Sequence, residues 1–191
     1  MGRFDALDAR LFLALNELPH TRGGDRFLNL ITEIFRGGWI WIGALLLTFL
    51  GRSEGNRDAL RVLLPAVVGT TWIVEYPIKS HFRRSRPFIH VVQALVVGKK
   101  PGSWSFPSGH TASSFAAAWV LSTIWPRRSP LFLAIATAVG VSRVYAGAHY
   151  PGDVLIGALL GISISEAIRR LVCRALGISP GGGRPAARRR S

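Results

Sequence analysis

The sequence predicts an all-α, polytopic membrane bundle of about five transmembrane helices preceded by an amphipathic helix. Three observations predict it. The 191-residue chain is 49% hydrophobic, with a mean hydropathy of +0.29. It nevertheless carries 24 Lys and Arg against 10 Asp and Glu, a net charge of +14. Such a chain is either a membrane protein with basic loops or a nucleic-acid binder, and the distribution separates the two. Basic residues fall mostly between long apolar runs, and the six Trp stand near run ends, where indole rings settle at a membrane–water boundary. No nucleic-acid module is readable, so nucleic acid is not expected as a partner.

The first 26 residues form the first unit. Phe4, Leu7, Leu11, Leu15 and Leu18 recur at three- and four-residue intervals, with Asp5, Asp8 and Arg10 elsewhere. This is an amphipathic helix too short to span comfortably, read as lying in the interface, with packing onto the bundle as the alternative. "PHTRGGDR" ends it. With no basic region leading into a continuous apolar core, it does not read as a cleavable signal peptide.

Residues 27–176 form the membrane-embedded unit, with five spans measured against the roughly 20 residues a bilayer requires. They are expected at about 27–50, 58–78, 108–125, 130–147 and 152–172. Glu33 and Arg36 weaken the leading end of the first. Small residues recur in "TASSFAAA" and "GALLGISIS", which lets helices approach closely. The single cysteine, Cys173, excludes an internal disulfide framework and a Cys-rich metal site. Residues 177–191, "GISPGGGRPAARRRS", are expected to be a disordered basic tail, a solvated charge run able to meet anionic lipid.

Polar chemistry concentrates in three stretches: "KSHFRRSRPF" at 79–88, "SFPSGHTASS" at 105–114 and "SRVYAGAHYPGD" at 142–153. With five spans, all three fall on one side of the membrane. "PSGH" places Ser108, Gly109 and His110 where a helix begins, and free N–H groups there attract anions. Taken alone, it reads better as a serine cap beside an exposed histidine. His149 and Asp153 are spaced i,i+4, which can set a carboxylate against one imidazole nitrogen and leave the other as base or nucleophile. The same spacing also serves a structural hydrogen bond. Lys79, Arg86 and Arg143 supply cations, and an arginine fork suits a phosphate's oxygens. Two His and a carboxylate could ligate a metal, but this cationic surround would repel a divalent ion. Neither metal nor cofactor is expected.

Together the stretches fit K-x6-R-P, P-S-G-H and S-R-x5-H-x3-D, in that order. The sequence thereby resembles the type 2 phosphatidic acid phosphatase family, which shares its site with vanadium haloperoxidases; the resemblance covers about residues 27–172. It implies that His149 attacks phosphorus and forms a phosphohistidine, and that Asp153 orients it. It implies that His110 protonates the leaving oxygen and then activates water. Lys79, Arg86, Ser108, the Gly109 amide and Arg143 would hold the phosphoryl oxygens. Arg84 would have a supporting role. His20, His81 and His90 match nothing, and Glu75, one turn before Lys79, is expected to pair with a cation.

The expected activity is therefore hydrolysis of a lipid phosphomonoester or diphosphate. Undecaprenyl diphosphate stands first, followed by phosphatidylglycerophosphate and phosphatidic acid. A lipid phosphotransferase is the same-class alternative, and a non-catalytic lipid-phosphate binder the alternative of a different class. Basic residues divide twelve on the C-terminal side against eleven on the site's side, three of the eleven being assigned to substrate. That puts the C-terminus in the cytoplasm and the site on the outer face of a bacterial plasma membrane.

Overall fold

A computed structural model of the protein describes residues 3–34, 40–41, 43, 54–98 and 100–178. Among them every regular element is helical. Helix α1 is Arg3–Asn16 and α2 is Arg22–Ile34; α3, Glu54–Ile73, runs through a π-helical turn, Val74–Ile78, into the short α4, Lys79–Phe82. A single turn, α5, is Pro87–His90. Helix α6 is Gly109–Ile124, α7 is Ser129–Tyr145 and α8 is Pro151–Leu176.

The expected second to fifth spans therefore coincide with α3, α6, α7 and α8. By length and composition, one segment among the described residues, Arg57–His90, suffices to cross a membrane. Most of the expected first span, and the tail from residue 179, lie outside the described residues.

Helix α6 is the centre of the bundle, packed against α3, α7 and α8. Its composition explains why. Ser113, Ser114, Ala116, Ala117 and Ala118 are all buried, and small side chains on several faces let three neighbours approach at once. The "GALLG" stretch supplies the complement. A side chain at Gly157 or Gly161 of α8 would run into the backbone of Ser108 or Ala112. Below this contact, Val62, Leu63, Ala66 and Val67 of α3 join Ala117, Val120, Leu121 and Cys173 in the main apolar core.

Helix α1 packs on the bundle through Phe12, which is fully buried with Val144 and Tyr150. Its Leu7 and Leu11 remain exposed. Asn16 anchors its end. The side-chain amide donates to the carbonyls of Leu95 and Tyr145 at 2.9 and 2.8 Å, and its oxygen accepts from the Leu95 N–H at 2.8 Å.

Two local features aim the polar stretches at one end of the bundle. Pro77 has no N–H to give an α-helical bond, and the chain there widens into a π-turn in which the Lys79 N–H reaches the Val74 carbonyl. The N-termini of α6 and α8 are joined by the Ser108 N–H donating to the Asp153 carbonyl at 3.0 Å.

Candidate active site

All three polar stretches contribute to one cavity of about 560 Å³, lined by Lys79 and Arg86, by Gly109 and His110, and by Arg143, Ala148 and His149. Asn29 and Glu33 of α2, Glu75 and Lys100 also line it.

His149 lies in the loop between α7 and α8, 1% exposed. Nη1 of Arg86 stands 3.2 Å from its Nε2. A guanidinium can only donate, so Nε2 carries the lone pair and the proton of the neutral ring is on Nδ1. Nδ1 faces Oδ2 of Asp153 at 3.6 Å, longer than a hydrogen bond. Burial holds the imidazole pKa well below the usual histidine range; the Arg86 and Arg143 charges add to this and Asp153 opposes it. The ring is thus neutral at physiological pH, and its Nε2 lone pair faces Arg86 at the cavity.

Asp153 does not line the cavity; it sits behind His149, fully buried. As the third residue of α8 it caps that helix, accepting from the Tyr150 N–H at 2.9 Å through Oδ2. Oδ2 also accepts from the Ser105 hydroxyl. Oδ1 accepts from Nη1 of Arg84 at 2.6 Å, and Nη2 of Arg84 donates to Asp8 of α1 at 2.8 Å. The Arg84 guanidinium lies over the Tyr150 ring, 4.2 Å from its centre. Asp8 reaches back independently, accepting from the Gly152 N–H at 2.7 Å.

Three expected phosphate ligands have other engagements. Ser108 is fully buried and is not part of the cavity wall. Its hydroxyl caps α6, accepting from the Thr111 N–H at 3.5 Å, and also accepts from the Thr111 hydroxyl at 2.8 Å. Arg86 reaches the cavity, but its N–H groups face the Ser103 and Ala148 carbonyls at 2.7 Å, the Trp104 carbonyl at 3.2 Å, the Ser103 hydroxyl at 3.1 Å and Nε2 of His149. Those contacts account for all five donors of a guanidinium. Arg86 therefore fixes loop 103–104 and the His149 ring, and a bound anion would have to share one of these donors. Lys79 is 4% exposed, and its ammonium is paired with Glu75.

Residues 60–175 match the model of the PAP2 superfamily. The chain belongs to that superfamily. PAP2 relatives bear this out: it is 36% identical over 151 residues to a decaprenylphosphoryl-5-phosphoribose phosphatase of Mycobacterium tuberculosis, covering 78% of this chain and 77% of that protein. It is 34% identical over 129 residues to an undecaprenyl-diphosphatase of Sulfolobus acidocaldarius, covering 66% and 60%. Across the first relatives it matches, the chain spans from 29% to 77% of their length. Among solved structures, LpxE of Aquifex aeolicus shares the fold with a TM-score of 0.68 and 28% identity, over 86% of this chain and 95% of that one. Both of the curated relatives named here are phosphatases by name.

Sequence reasoning missed Ser105 and Asp8, and it did not anticipate Glu75 in the cavity wall. Ser105 adjoins the PSGH motif and could have drawn attention. Asp8 gave no signal, because an acidic residue on the polar face of an amphipathic helix is ordinary. It lies outside the span that matches the PAP2 model.

Proposed function

We propose that residues 27–176 form a membrane-embedded phosphatase that hydrolyses a lipid phosphomonoester or diphosphate without a metal, through a phosphohistidine on His149. The observation that carries this is the state of His149: a neutral imidazole, its Nε2 lone pair at a cationic cavity and a carboxylate behind its Nδ1.

In the first step Nε2 attacks phosphorus in line, the N–P bond forms and the P–O bond to the lipid breaks. His110 gives its proton to the departing oxygen. The ring then carries positive charge, which Asp153 supports by closing onto the Nδ1 proton. In the second step His110 takes a proton from water, the oxygen attacks phosphorus and the N–P bond breaks, releasing inorganic phosphate. Lys79, Arg86, Arg143 and the first-turn amide of Gly109 stabilise the charge on the equatorial oxygens. Ser108 contributes by fixing that first turn.

Metal independence is supported by the donor set. Among the described residues no group of three or more His, Cys, Asp and Glu could hold an ion, and the cations on the wall disfavour one. The lipid is read as an isoprenoid, with undecaprenyl diphosphate first. Both named PAP2 relatives carry polyprenyl substrates in their names. The bias of basic residues toward the C-terminal side, with three of the site's own cations assigned to substrate, supports a cavity on the outer face of the plasma membrane.

The test is phosphate release by the detergent-purified protein from polyprenyl diphosphate, a polyprenyl-linked sugar phosphate, phosphatidylglycerophosphate and phosphatidic acid, with a chelator present. Release from an isoprenoid member, unaffected by the chelator, is expected. Release abolished by chelation and restored by magnesium or zinc would sink metal independence, and no release from any member would sink the reading.

A further inference from the structure

Hydrolysis as described leaves the carboxylate of Glu75, in the cavity wall, without a role. It projects from the π-turn and takes the Lys79 ammonium on both oxygens, at 2.7 and 2.9 Å. A buried lysine needs a counter-ion, and an i,i+4 pair along a helix would satisfy it. That alone does not explain where the carboxylate lies. Its Oε1 rests against Gly109, so closely that a methyl group added there would overlap it. Gly109 opens α6, whose N-terminus attracts anions.

A single carboxylate therefore sits between the Lys79 ammonium and the first turn of α6. A phosphoryl oxygen held by both groups would occupy the same place. The widened turn at Pro77 aims Glu75 there, and the missing side chain at Gly109 makes the room. Two anions cannot share that position at low cost, since like charges side by side repel.

We propose that Glu75 is an internal anion that competes with phosphate for the Lys79–Gly109 end of the cradle. It fills the cradle when no substrate is bound, moves aside as the phosphoryl group enters, and returns as inorganic phosphate leaves. It thereby weakens product binding in a pocket whose cations would otherwise retain phosphate. This rests on the hydrolytic reading for the identity of the anion.

The test is calorimetric titration of inorganic phosphate into the full chain in detergent, comparing wild type with Glu75→Gln and Glu75→Asp. Glu75→Gln removes the charge at constant shape and should bind phosphate about tenfold more tightly. Inhibition of turnover by phosphate should strengthen by the same factor. Glu75→Asp, one methylene shorter, withdraws the charge from Gly109 and should fall between the two. Should the glutamine variant fail to fold, the aspartate variant decides. Unchanged or weaker phosphate binding would overturn the proposal and leave Glu75 as a support for Lys79. Lipid hydrolysis by the wild type is followed in parallel. Failure of the hydrolytic reading appears there as no release, whereas failure of this inference appears only in the phosphate affinities.

Discussion

In front of His149, Lys79, Arg86 and Arg143 face a cavity open to an anionic ligand. Behind it, Asp153 is sealed among Ser105, Arg84 and the Tyr150 N–H, and α1 closes the chain of contacts through Asp8. The front is predominantly cationic and borders the cavity. The back alternates carboxylate and guanidinium and has no ligand to wait for. On the proposed reading, His149 is held from behind by residues that do not line the cavity, while Lys79 and Arg86 in front must give up or share present partners to hold a phosphoryl group. An active imidazole needs both a fixed tautomer and a lone pair that such an exchange can release.

Substitutions on the two sides should separate these roles. His149→Ala should abolish turnover of every substrate. Asp153→Asn should lower kcat by ~10⁴-fold if the carboxylate acts as in a hydrolytic triad, with KM for an aryl phosphate little changed. A comparable loss confined to KM would place Asp153 among the binding groups and erase the distinction between front and back. Arg84→Gln removes one partner of the Asp153 carboxylate, and a small misplacement of the ring is expected to cost on the order of 100-fold in kcat. Asp8→Asn should cost about tenfold, the effect of one charge-assisted hydrogen bond, again in kcat alone. Activity of Asp8→Asn equal to wild type would remove α1 from the machinery.

The smallest expected effect is that of pH. Because burial depresses its pKa, His149 should keep its lone pair as pH falls below the ordinary histidine value of ~6.5. Phosphoenzyme formation from an aryl phosphate should therefore stay level between about pH 7 and 5. A loss centred near pH 6.5 would mean that His149 titrates as an exposed residue. Stability should move the other way. The unfolded ring binds a proton below ~6.5 where the folded one does not, so stability falls as pH drops through that value.

The same comparison marks what was legible in the sequence. The front was readable because its residues lie in short stretches with fixed spacing, such as K-x6-R-P, and because each stretch abuts an apolar run. The helices α3, α6, α7 and α8 were readable from the length of those runs and from the small residues of "TASSFAAA" and "GALLG". The back was hidden because its contacts join distant positions: Asp8 to Arg84 is a separation of 76 residues and Arg84 to Asp153 one of 69. No periodicity records such pairings. Spacing offered Ser108 as a cap but could not decide between that and a ligand role, nor could it show that Arg86 has committed its donors to the loop and to His149. Those assignments depend on where the chain returns in space, which the bundle's packing fixes.

The central claim is that His149, not His110, takes the phosphoryl group, and covalent labelling tests it most directly. Purified wild type, His149→Ala and His110→Ala would be mixed briefly with a radiolabelled aryl phosphate, quenched in alkali to preserve phosphohistidine, and assayed for acid-labile label. An aryl oxide leaves without acid help, so His110→Ala should still complete the first step but stall at the second, accumulating label that maps to His149. His149→Ala should carry none. Label retained by His149→Ala, or mapped to His110 in the wild type, would contradict the account.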